Sequence, residues 1–347
     1  GKYQQRFGFE ANGTAGIGLS DDVKTIANVF KQNGYNTYAL GKWHLGDELE
    51  FLPTNQGFDS YYGIPYSNDM TPAFSMKYAD DCLYREGVDQ EALKAAFDKN
   101  KQRPVGMKDK VPLMRNNECI EFPADQSTIT KRFTDEGLQF IDESLENNKP
   151  FFLYLAHSMP HTPLYVSKDF EGKSAGGIYG DVIEEIDYNV GRIIDHLEQK
   201  NIAKNTLFIY TSDNGPWLIK KSHGGSALPL FEGKTTNFEG GQRVPAIIRW
   251  PVIIPAGSTS DAMILSMDIF PTLAEITSTT PQDADLLNGK SATELFANPA
   301  NFKTKHEYFF FGHRAVRHKY WKYHQEETFK LKTTARKTKG PSLYDLS

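Results

Sequence analysis

The chain has 347 residues, of which 39% are hydrophobic and 24% are charged, a composition typical of a globular protein. Its length suffices for one large domain and a smaller one, or for two medium domains. The net charge is −5 and the basic residues are dispersed except near 336–339, which argues against nucleic acid as a partner. No apolar run approaches the roughly 20 residues that a membrane-spanning helix requires.

A helix and a strand are predicted near the N-terminus. Asp21 or Asp22 is the predicted cap of a helix that ends at Asn33-Gly34. A strand follows over residues 35–40.

The middle of the chain continues this alternation. Helices are predicted over 130–148 and, from apolar residues at 3.6-residue spacing, over 182–197. Each is followed by a continuous apolar run, residues 151–156 and 206–211, of the kind found in strands buried on both faces. A further strand over 244–250 and a helix over 268–277, with Pro271 in its first turn, complete the pattern.

Two stretches depart from this rhythm. Residues 69–121 are polar and irregular, and we expect them to run over the surface. After about residue 300, residues 307–311 and 315–323 are typical of short aromatic strands joined by a turn. The predicted fold class is therefore α/β, with a mostly parallel sheet sandwiched by helices in residues 1–300 and the start of a small antiparallel sheet in residues 301–347.

Reactive side chains follow the predicted strands. Lys42 and His44 lie in the run GKWHLG after the first strand, and alternate residues of an extended chain face the same side. The strand over 151–156 leads into His157–Pro163, and the strand over 206–211 leads into Ser212–Gly215. Because ligands bind beyond the carboxyl ends of parallel strands, these segments form the predicted site.

Asp213-Asn214-Gly215 is a candidate metal-binding segment. It offers one carboxylate and one amide oxygen, hard ligands suited to Ca²⁺ or Mg²⁺, although the same triplet is also a common turn. The position directly after a buried strand favours the metal. Two ligands do not complete a shell of about six to eight oxygens, so further acidic ligands must come from elsewhere.

A histidine and a lysine extend the predicted site. His161 lies between prolines, which limit the backbone and define the direction of the ring, whereas His157 is interpreted as structural. Lys234 lies on a glycine-bounded loop that lacks the first glycine of a Walker motif, so nucleotide binding by that route is rejected. Lysines, histidines and a divalent cation around one cavity predict hydrolysis of an anionic ester, with proton transfer by histidine.

Two further features stay open. Cys82 and Cys119 can form one disulfide or remain two buried thiols. Asn12-Gly13-Thr14 matches the N-glycosylation pattern, which also arises by chance.

These segments closely resemble the type I sulfatases, and the arylsulfatase A-like branch in particular. The resemblance covers nearly the whole chain, and the matching stretches are 34–46 (GYNTYALGKWHLG), 56–69 (QGFDSYYGIPYSND), 150–163 (PFFLYLAHSMPHTP), 210–215 (YTSDNG) and 233–245 (GKTTNFEGGQRVP). It implies an alkaline-phosphatase-like fold and hydrolysis of sulfate monoesters.

The resemblance also assigns roles to individual residues. Lys42 would steady the nucleophile and the sulfate, and His44 would be the base that collapses a covalent sulfate intermediate. Ser67 would contact the sulfate, while His161 and Lys234 would hold it and assist the departing oxygen.

The same resemblance implies a metal and an entrance. Asp213 and Asn214 would ligate one Ca²⁺, and His223 is a candidate for the substrate entrance.

The family's nucleophile is the one part without a match. It is a formylglycine made from Cys or Ser in a Cys-x-Pro-x-Arg motif, and neither Cys82 nor Cys119 has that context. In the family this motif and two Asp metal ligands come before a segment that resembles Gly1-Lys2-Tyr3. We therefore expect the chain to be a fragment without the nucleophile segment, inactive as it stands, with the remaining calcium ligands upstream.

Other functions and partners follow from the same comparison. A phosphonate or phosphodiester hydrolase of the same superfamily and a catalytically dead anion-binding member are the alternatives. For a sulfatase, the resemblance implies a small-molecule, glycan or lipid sulfate ester as substrate and a formylglycine-generating enzyme or equivalent maturase as partner. It also implies a periplasmic, secreted or lysosomal location, and it leaves the natural substrate and the oligomeric state open.

Overall fold

The computed structural model describes residues 1–7, 17–72, 76–99, 104–281, 284–329, 336–338 and 340–347, so the triplet Asn12-Gly13-Thr14 lies outside the described residues. The chain divides into two compact units, residues 1–196 with 273–288 and residues 197–272 with 289–347. None of the described helices combines the length and the hydropathy that a bilayer crossing demands. The predicted domain boundary near residue 300 stays a prediction.

The first unit is built around one sheet. Its helices are α1 (Ile26–Gln32), α2 (Gln90–Lys99), α3 (Ile129–Glu146) and α4 (Gly177–Gln199), the last of which continues into the second unit. Its strands are β1 (Asn36–Lys42), β2 (Ser60–Ile64), β3 (Tyr78–Tyr84), β4 (Leu113–Arg115), β5 (Glu118–Phe122) and β6 (Phe151–Ala156).

The sheet has the order β3-β5-β4-β2-β1-β6. β1 pairs in parallel with both β2 and β6, and β3 pairs in parallel with β5, whereas β4 runs antiparallel to both of its neighbours. The predicted mostly parallel α/β sheet is confirmed.

Helices cover both faces of this sheet because successive residues of β1 point to opposite sides. Tyr38 and Leu40 join a buried cluster that contains Phe133 of α3. Ala39 joins a second cluster that contains Ala27 of α1. The alternation in β1 thus places its two faces under different helices.

The second unit contains short elements. Its helices are α5 (Glu239–Gln242), α6 (Ile269–Ile276), which reaches into residues of the first unit, and α7 (Thr293–Ala297). Its strands are β7 (Phe208–Thr211), β8 (Ala246–Arg249), β9 (Phe309–Phe311), β10 (Ala315–His318), β11 (Trp321–His324), β12 (Glu327–Phe329), β13 (Arg336–Thr338) and β14 (Ser342–Asp345). β7 and β8 pair antiparallel, and β14-β11-β10-β9 form an antiparallel sheet, so the predicted C-terminal antiparallel sheet is confirmed.

The cap of the first helix was predicted wrongly. Thr25, not Asp21 or Asp22, precedes α1 and accepts a hydrogen bond from the Asn28 backbone, while the Asn28 side chain accepts from the Thr25 backbone. This reciprocal arrangement satisfies two amides at once, which a single Asp three residues earlier cannot do. The predicted C-terminal end at Asn33-Gly34 is correct.

The prediction of a surface excursion over residues 69–121 was also wrong. This stretch contributes β3, α2, β4 and most of β5, and three of these strands extend the main sheet. Its apolar residues are widely spaced in sequence, but most of them converge in one buried cluster, which includes Cys82, Leu93, Phe97, Met114 and Cys119, while Val111 and Leu113 join the other cluster. Both cysteines are free and buried, so of the two alternatives the structure shows buried thiols.

Two smaller expectations need correction. β6 and β7 were predicted to be buried on both faces, but their residues are half-buried or exposed. Among the described strands, β6 is the last in its sheet and β7 pairs only with β8, so each has a neighbour on one side. The predicted strand over 315–323 is two strands, because the chain turns at Lys319, which has a φ of 53°.

Candidate active site

Three of the predicted site segments lie at one edge of the main sheet. β1, β2 and β6 are parallel neighbours, with Lys42 opposite Ile64 and Gly41 opposite Ala156. Their carboxyl ends therefore point the same way, and the chain continues from them to His44, Ser67 and His161. Gly41 has a φ of 93°, and a Cβ there would lie 1.9 Å from the Ala156 carbonyl oxygen, so only glycine fits between these strands.

The alternation that predicted a shared direction for Lys42 and His44 does not extend to His44. β1 ends at Lys42, and His44 adopts a φ of 59°, which lies outside the extended region. Backbone hydrogen bonds instead tie this turn to the next strand, from Trp43 N to Ile64 O at 3.0 Å and from His44 N to Pro65 O at 2.9 Å. The turn after β1 is thus held against the segment that carries Ser67.

Ser67 and His161 lie side by side, although 94 residues separate them in the sequence. The Ser67 hydroxyl lies 3.1 Å from Nδ1 and 3.4 Å from Nε2 of His161. Ser67 is buried, whereas His161 is half-buried. A hydroxyl and an imidazole are therefore adjacent at the carboxyl edge of the sheet.

Asn68 fixes the orientation of the His161 ring. Its side-chain Nδ2 donates to the carbonyl oxygens of Pro163 at 2.8 Å and His161 at 3.3 Å, which directs Oδ1 toward the ring. His161 Nδ1 lies 3.1 Å from that Oδ1 and 2.8 Å from the Thr162 carbonyl oxygen. Both oxygens only accept, so Nδ1 is the nitrogen that carries the proton of the neutral ring.

His157 contrasts with His161. Both of its ring nitrogens are buried and have no hydrogen-bond partner among the described residues. Burial lowers the pKa of His157 to about 4, so the ring is neutral near neutral pH. This agrees with its interpretation as a structural residue.

In the second unit, two of the predicted segments meet at α5. Asp213 is exposed and Asn214 half-buried in the loop after β7, and Gly215 N donates to Gly241 O at 3.1 Å. A Cβ on Gly215 would lie 1.8 Å from the Gly240 carbonyl oxygen, and a Cβ on Gly240 would lie 2.1 Å from the Glu232 carbonyl oxygen. Glycine at positions 215 and 240 thus lets the loops pack against α5 in direct backbone contact.

Lys234 is attached to the segment that follows Asp213 and Asn214. Its backbone N donates to Pro216 O at 2.8 Å, and its ammonium nitrogen lies 5.3 Å from the centre of the Trp217 ring. The ammonium group is thereby oriented by a cation–π contact. His223 is exposed and ends the 3-10 turns over Leu218–His223, which are interrupted at Lys221.

The predicted residues therefore form two groups, one in each unit. Lys42, His44, Ser67 and His161 belong to the first, and Asp213, Asn214 and Lys234 to the second. That all seven line one cavity stays a prediction. Asp213 and Asn214 have the oxygen donors that Ca²⁺ prefers, but among the described residues no group of three or more His, Cys, Asp or Glu side chains is arranged to hold a metal ion.

Two side chains of the site were missed from the sequence. Asn68 directly follows Ser67, and its polarity was visible but its partners, 93 to 95 residues away, were not. Trp217 was overlooked because a single aromatic residue in a loop carries no periodic signal.

The fold is that of the alkaline-phosphatase-like α/β class. The sequence profile of the sulfatase family matches residues 1–279, and the profile of the N-sulphoglucosamine sulphohydrolase C-terminal region matches residues 228–347. The chain therefore belongs to the sulfatase family.

Its curated relatives include several sulfatases. The chain is 32% identical to arylsulfatase G of Mus musculus, over 87% of this chain and 56% of the relative, and 33% identical to steryl-sulfatase of Homo sapiens, over 89% and 62%. It is 34% identical to N-acetylgalactosamine-6-sulfatase of Mus musculus, over 78% and 48%. The chain thus spans about half to three-fifths of the length of these relatives.

Solved structures show the same fold. The crystal structure of Ps i-CgsB in complex with k-i-k-neocarrahexaose has a TM-score of 0.74 at 25% identity, covering 93% of this chain and 70% of that one. The PsFucS1 sulfatase from Pseudoalteromonas sp. also has a TM-score of 0.74, at 24% identity, covering 93% and 66%.

Proposed function

We propose that the chain provides the sulfate-holding and proton-transferring part of a sulfuric-ester hydrolase. The observation that carries this proposal is His161, whose ring is held by Asn68 and Thr162 and lies beside the Ser67 hydroxyl. Family membership supports it. The overall reaction adds water across the ester O–S bond and releases an alcohol or phenol and sulfate.

The proposed roles in the first unit follow from the chemistry of each group. Lys42 steadies the nucleophile and the sulfate, and Ser67 donates its hydroxyl to a sulfate oxygen. His161 delivers a proton to the departing oxygen, and His44 acts as the base that breaks down a covalent sulfate intermediate. The nucleophile is a formylglycine outside this chain, since neither Cys82 nor Cys119 lies in the required motif.

The second unit supplies charge. Lys234 holds the sulfate, and Asp213 and Asn214 would hold one Ca²⁺ through a carboxylate and an amide oxygen, together with further oxygen ligands. A bound Ca²⁺ would neutralise sulfate oxygens as the ester bond breaks.

The substrate class and the cellular location of this chain are proposed from its sulfatase relatives. The relatives' names refer to aryl, steroid and N-acetylgalactosamine sulfates, and we infer a sulfate ester of a small molecule, glycan or lipid for this chain. A maturase that makes formylglycine would be a partner, and a periplasmic, secreted or lysosomal location is expected.

Hydrolysis of p-nitrophenyl sulfate tests the proposal. A protein that joins residues 1–347 to a Cys-x-Pro-x-Arg segment and is co-expressed with the maturase should be active, and residues 1–347 alone should show no turnover. His161→Ala should lower kcat by roughly 10² to 10⁴, because a positioned proton donor is lost. The exposed His313→Ala is the matched control and should leave kcat unchanged.

Three outcomes would contradict the proposal. Turnover by residues 1–347 alone would show that the nucleophile assignment is wrong. Equal effects of His161→Ala and His313→Ala would remove the proposed role of His161. Faster hydrolysis of p-nitrophenyl phosphate than of the sulfate would identify a phosphate-ester hydrolase instead.

A further inference from the structure

A basic loop lies directly beside Lys234. We call residues 216–224 the Trp217 loop. Lys234 N donates to Pro216 O at 2.8 Å, and a Cβ on Gly233 would lie 2.4 Å from that same oxygen. The loop and the Lys234 segment therefore pack backbone to backbone.

The Trp217 loop is a compact turn. Lys220 N donates to Trp217 O and Gly224 N donates to Lys221 O, each at 2.9 Å. Lys221 has a φ of 55° and a ψ of −126°, a backbone conformation that non-glycine residues rarely adopt. Strained backbone of this kind persists where the surrounding structure enforces it, and it is frequent at binding sites.

Positive charge is concentrated around the Trp217 ring. The ammonium nitrogens of Lys220 and Lys234 lie 4.4 Å and 5.3 Å from the ring centre, so they are at most 9.7 Å from each other. The side chains of Lys220, Lys221 and His223 are exposed. Among the described residues, none of the ammonium groups of Lys220, Lys221 and Lys234 forms a salt bridge with a carboxylate.

This cluster is positively charged, although the chain as a whole has a net charge of −5. Amines within about one Debye length of each other repel, and an anion placed between them relieves that repulsion. The half-buried Trp217 ring adds a flat apolar surface, which suits the apolar face of a sugar ring.

From these observations we propose that the Trp217 loop is a binding subsite for a second acidic group of a saccharide whose reacting sulfate is held by Lys234. The sugar ring packs on Trp217, and Lys220 and Lys221 bind a second sulfate or a carboxylate. This assignment rests on the proposed role of Lys234 and selects, among sulfate esters, saccharides with two acidic groups.

Two probes that differ by one sulfate test the subsite. Glucosamine 2-N,6-O-disulfate and N-acetylglucosamine 6-O-sulfate, in which a neutral acetamide replaces the N-sulfate, are titrated into the chain by calorimetry at two salt concentrations. The unaltered chain should bind the disulfate about tenfold more tightly, and the preference should shrink at high salt because exposed charges are screened.

Lys220→Ala and Lys221→Ala should each reduce the ratio of the two affinities by about three- to fivefold. The affinity for the monosulfate should stay within twofold of that of the unaltered chain. Both lysines are exposed, so folding is expected to survive. Lys204→Ala removes an exposed lysine elsewhere in the second unit and is the matched control for net charge. Trp217→Leu should lower the affinity for both probes, because both contain the sugar ring that packs on Trp217.

The proposal is overturned if the unaltered chain binds the two probes with equal affinity. It is likewise overturned if Lys220→Ala and Lys221→Ala lower the affinity for both probes by the same factor. It is also overturned if Lys204→Ala reduces the preference as much as they do. Failure of the proposed function has a different signature. The nucleophile-bearing protein would not hydrolyse p-nitrophenyl sulfate, which has a single acidic group and no sugar, whatever the lysine variants show.

Discussion

Asn68 illustrates how a residue next to a recognisable motif can determine its geometry. The side chain is fully buried and makes three hydrogen bonds, two to carbonyl oxygens of the loop over 161–163 and one to the His161 ring. It therefore joins the end of β2 to the loop after β6. Loss of the amide leaves buried polar groups without a partner.

Asn68→Ala is expected to lower the free energy of unfolding by about 1–3 kcal/mol, because three buried hydrogen bonds are lost at once. Urea denaturation measures this directly. Asn205→Ala, at an exposed position, should change the free energy by less than about 0.5 kcal/mol. Indistinguishable midpoints for the two variants would show that the Asn68 bonds contribute no net stability.

At the scale of elements, α5 is the point where loops of the second unit converge. A Cβ added to its Gly240 would lie 2.1 Å from the Glu232 carbonyl oxygen and 2.6 Å from that of Phe231, whereas a Cβ on Gly191 in α4 would meet open space. Two helical glycines of the same chain thus differ in what surrounds them.

Gly240→Ala should destabilise the chain by about 1–3 kcal/mol or more, since the methyl group must displace backbone. Gly191→Ala should stabilise it by about 0.5–1 kcal/mol, because alanine loses less conformational entropy in a helix. Thermal and urea unfolding of the pair checks this, and a stabilising Gly240→Ala would contradict the described packing.

Glu239 connects α5 to the C-terminal sheet. Its carboxylate accepts from Arg317 at 2.6 Å and from Lys322 at 2.8 Å, and Lys322 is almost fully buried, with its ammonium nitrogen 3.4 Å from the centre of the Phe311 ring. Burial lowers the pKa of Lys322 to about 8, and Glu239 opposes that shift. The ion pair therefore keeps a buried amine charged at neutral pH.

Glu239→Gln should cost about 3–5 kcal/mol, because two buried cations lose their counter-charge. Adding Lys322→Met to Glu239→Gln should recover part of that loss, since one uncompensated charge is removed. Glu307→Gln, at an exposed position, is the control in the same unfolding measurements. A double variant less stable than Glu239→Gln alone would show that Lys322 contributes by packing instead.

For the whole molecule, the pH dependence of stability depends on buried groups whose pKa values shift in opposite directions. Burial raises the pKa of Asp47 to about 6 from its usual 3.8, and lowers the pKa of His157 to about 4 from 6.5. Folding therefore favours protonated Asp47 and neutral His157. As the pH falls from 6 to 4, the Asp47 effect stabilises the chain and the His157 effect destabilises it.

Single substitutions should separate the two effects. Relative to the unaltered chain, Asp47→Asn should gain up to about 3 kcal/mol above pH ~6 and nothing below pH ~4, because only the charged carboxylate is penalised. His157→Gln should not show the loss of stability that the unaltered chain undergoes between pH 6.5 and pH 4 as the unfolded state takes up a proton at this histidine. Its free energy of unfolding relative to the unaltered chain should therefore rise by about 3 kcal/mol over this range. Urea midpoints at several pH values measure both, and pH-independent differences would contradict the burial of these charges.

The local sequence determined much of this protein. The apolar pattern predicted β1, α3, β6, α4 and α6 close to their observed bounds, because their periodicity is set by residues within one or two turns. The motif segments identified the sulfatase family without reference to the fold, since many short ordered matches occur together.

The tertiary structure decided what depends on distant partners. It placed residues 69–121 in the main sheet, because their scattered apolar residues form a core only when β3, β4 and β5 pair. The turn after β1 ended the alternation before His44, and such a backbone conformation leaves no pattern in the neighbouring sequence. The role of Asn68 depends on a hydrogen bond to a residue 93 positions away, which the local sequence does not show either. The sequence shows which residue types follow a strand. The orientation of their side chains depends on the neighbouring strands, which come from distant parts of the sequence.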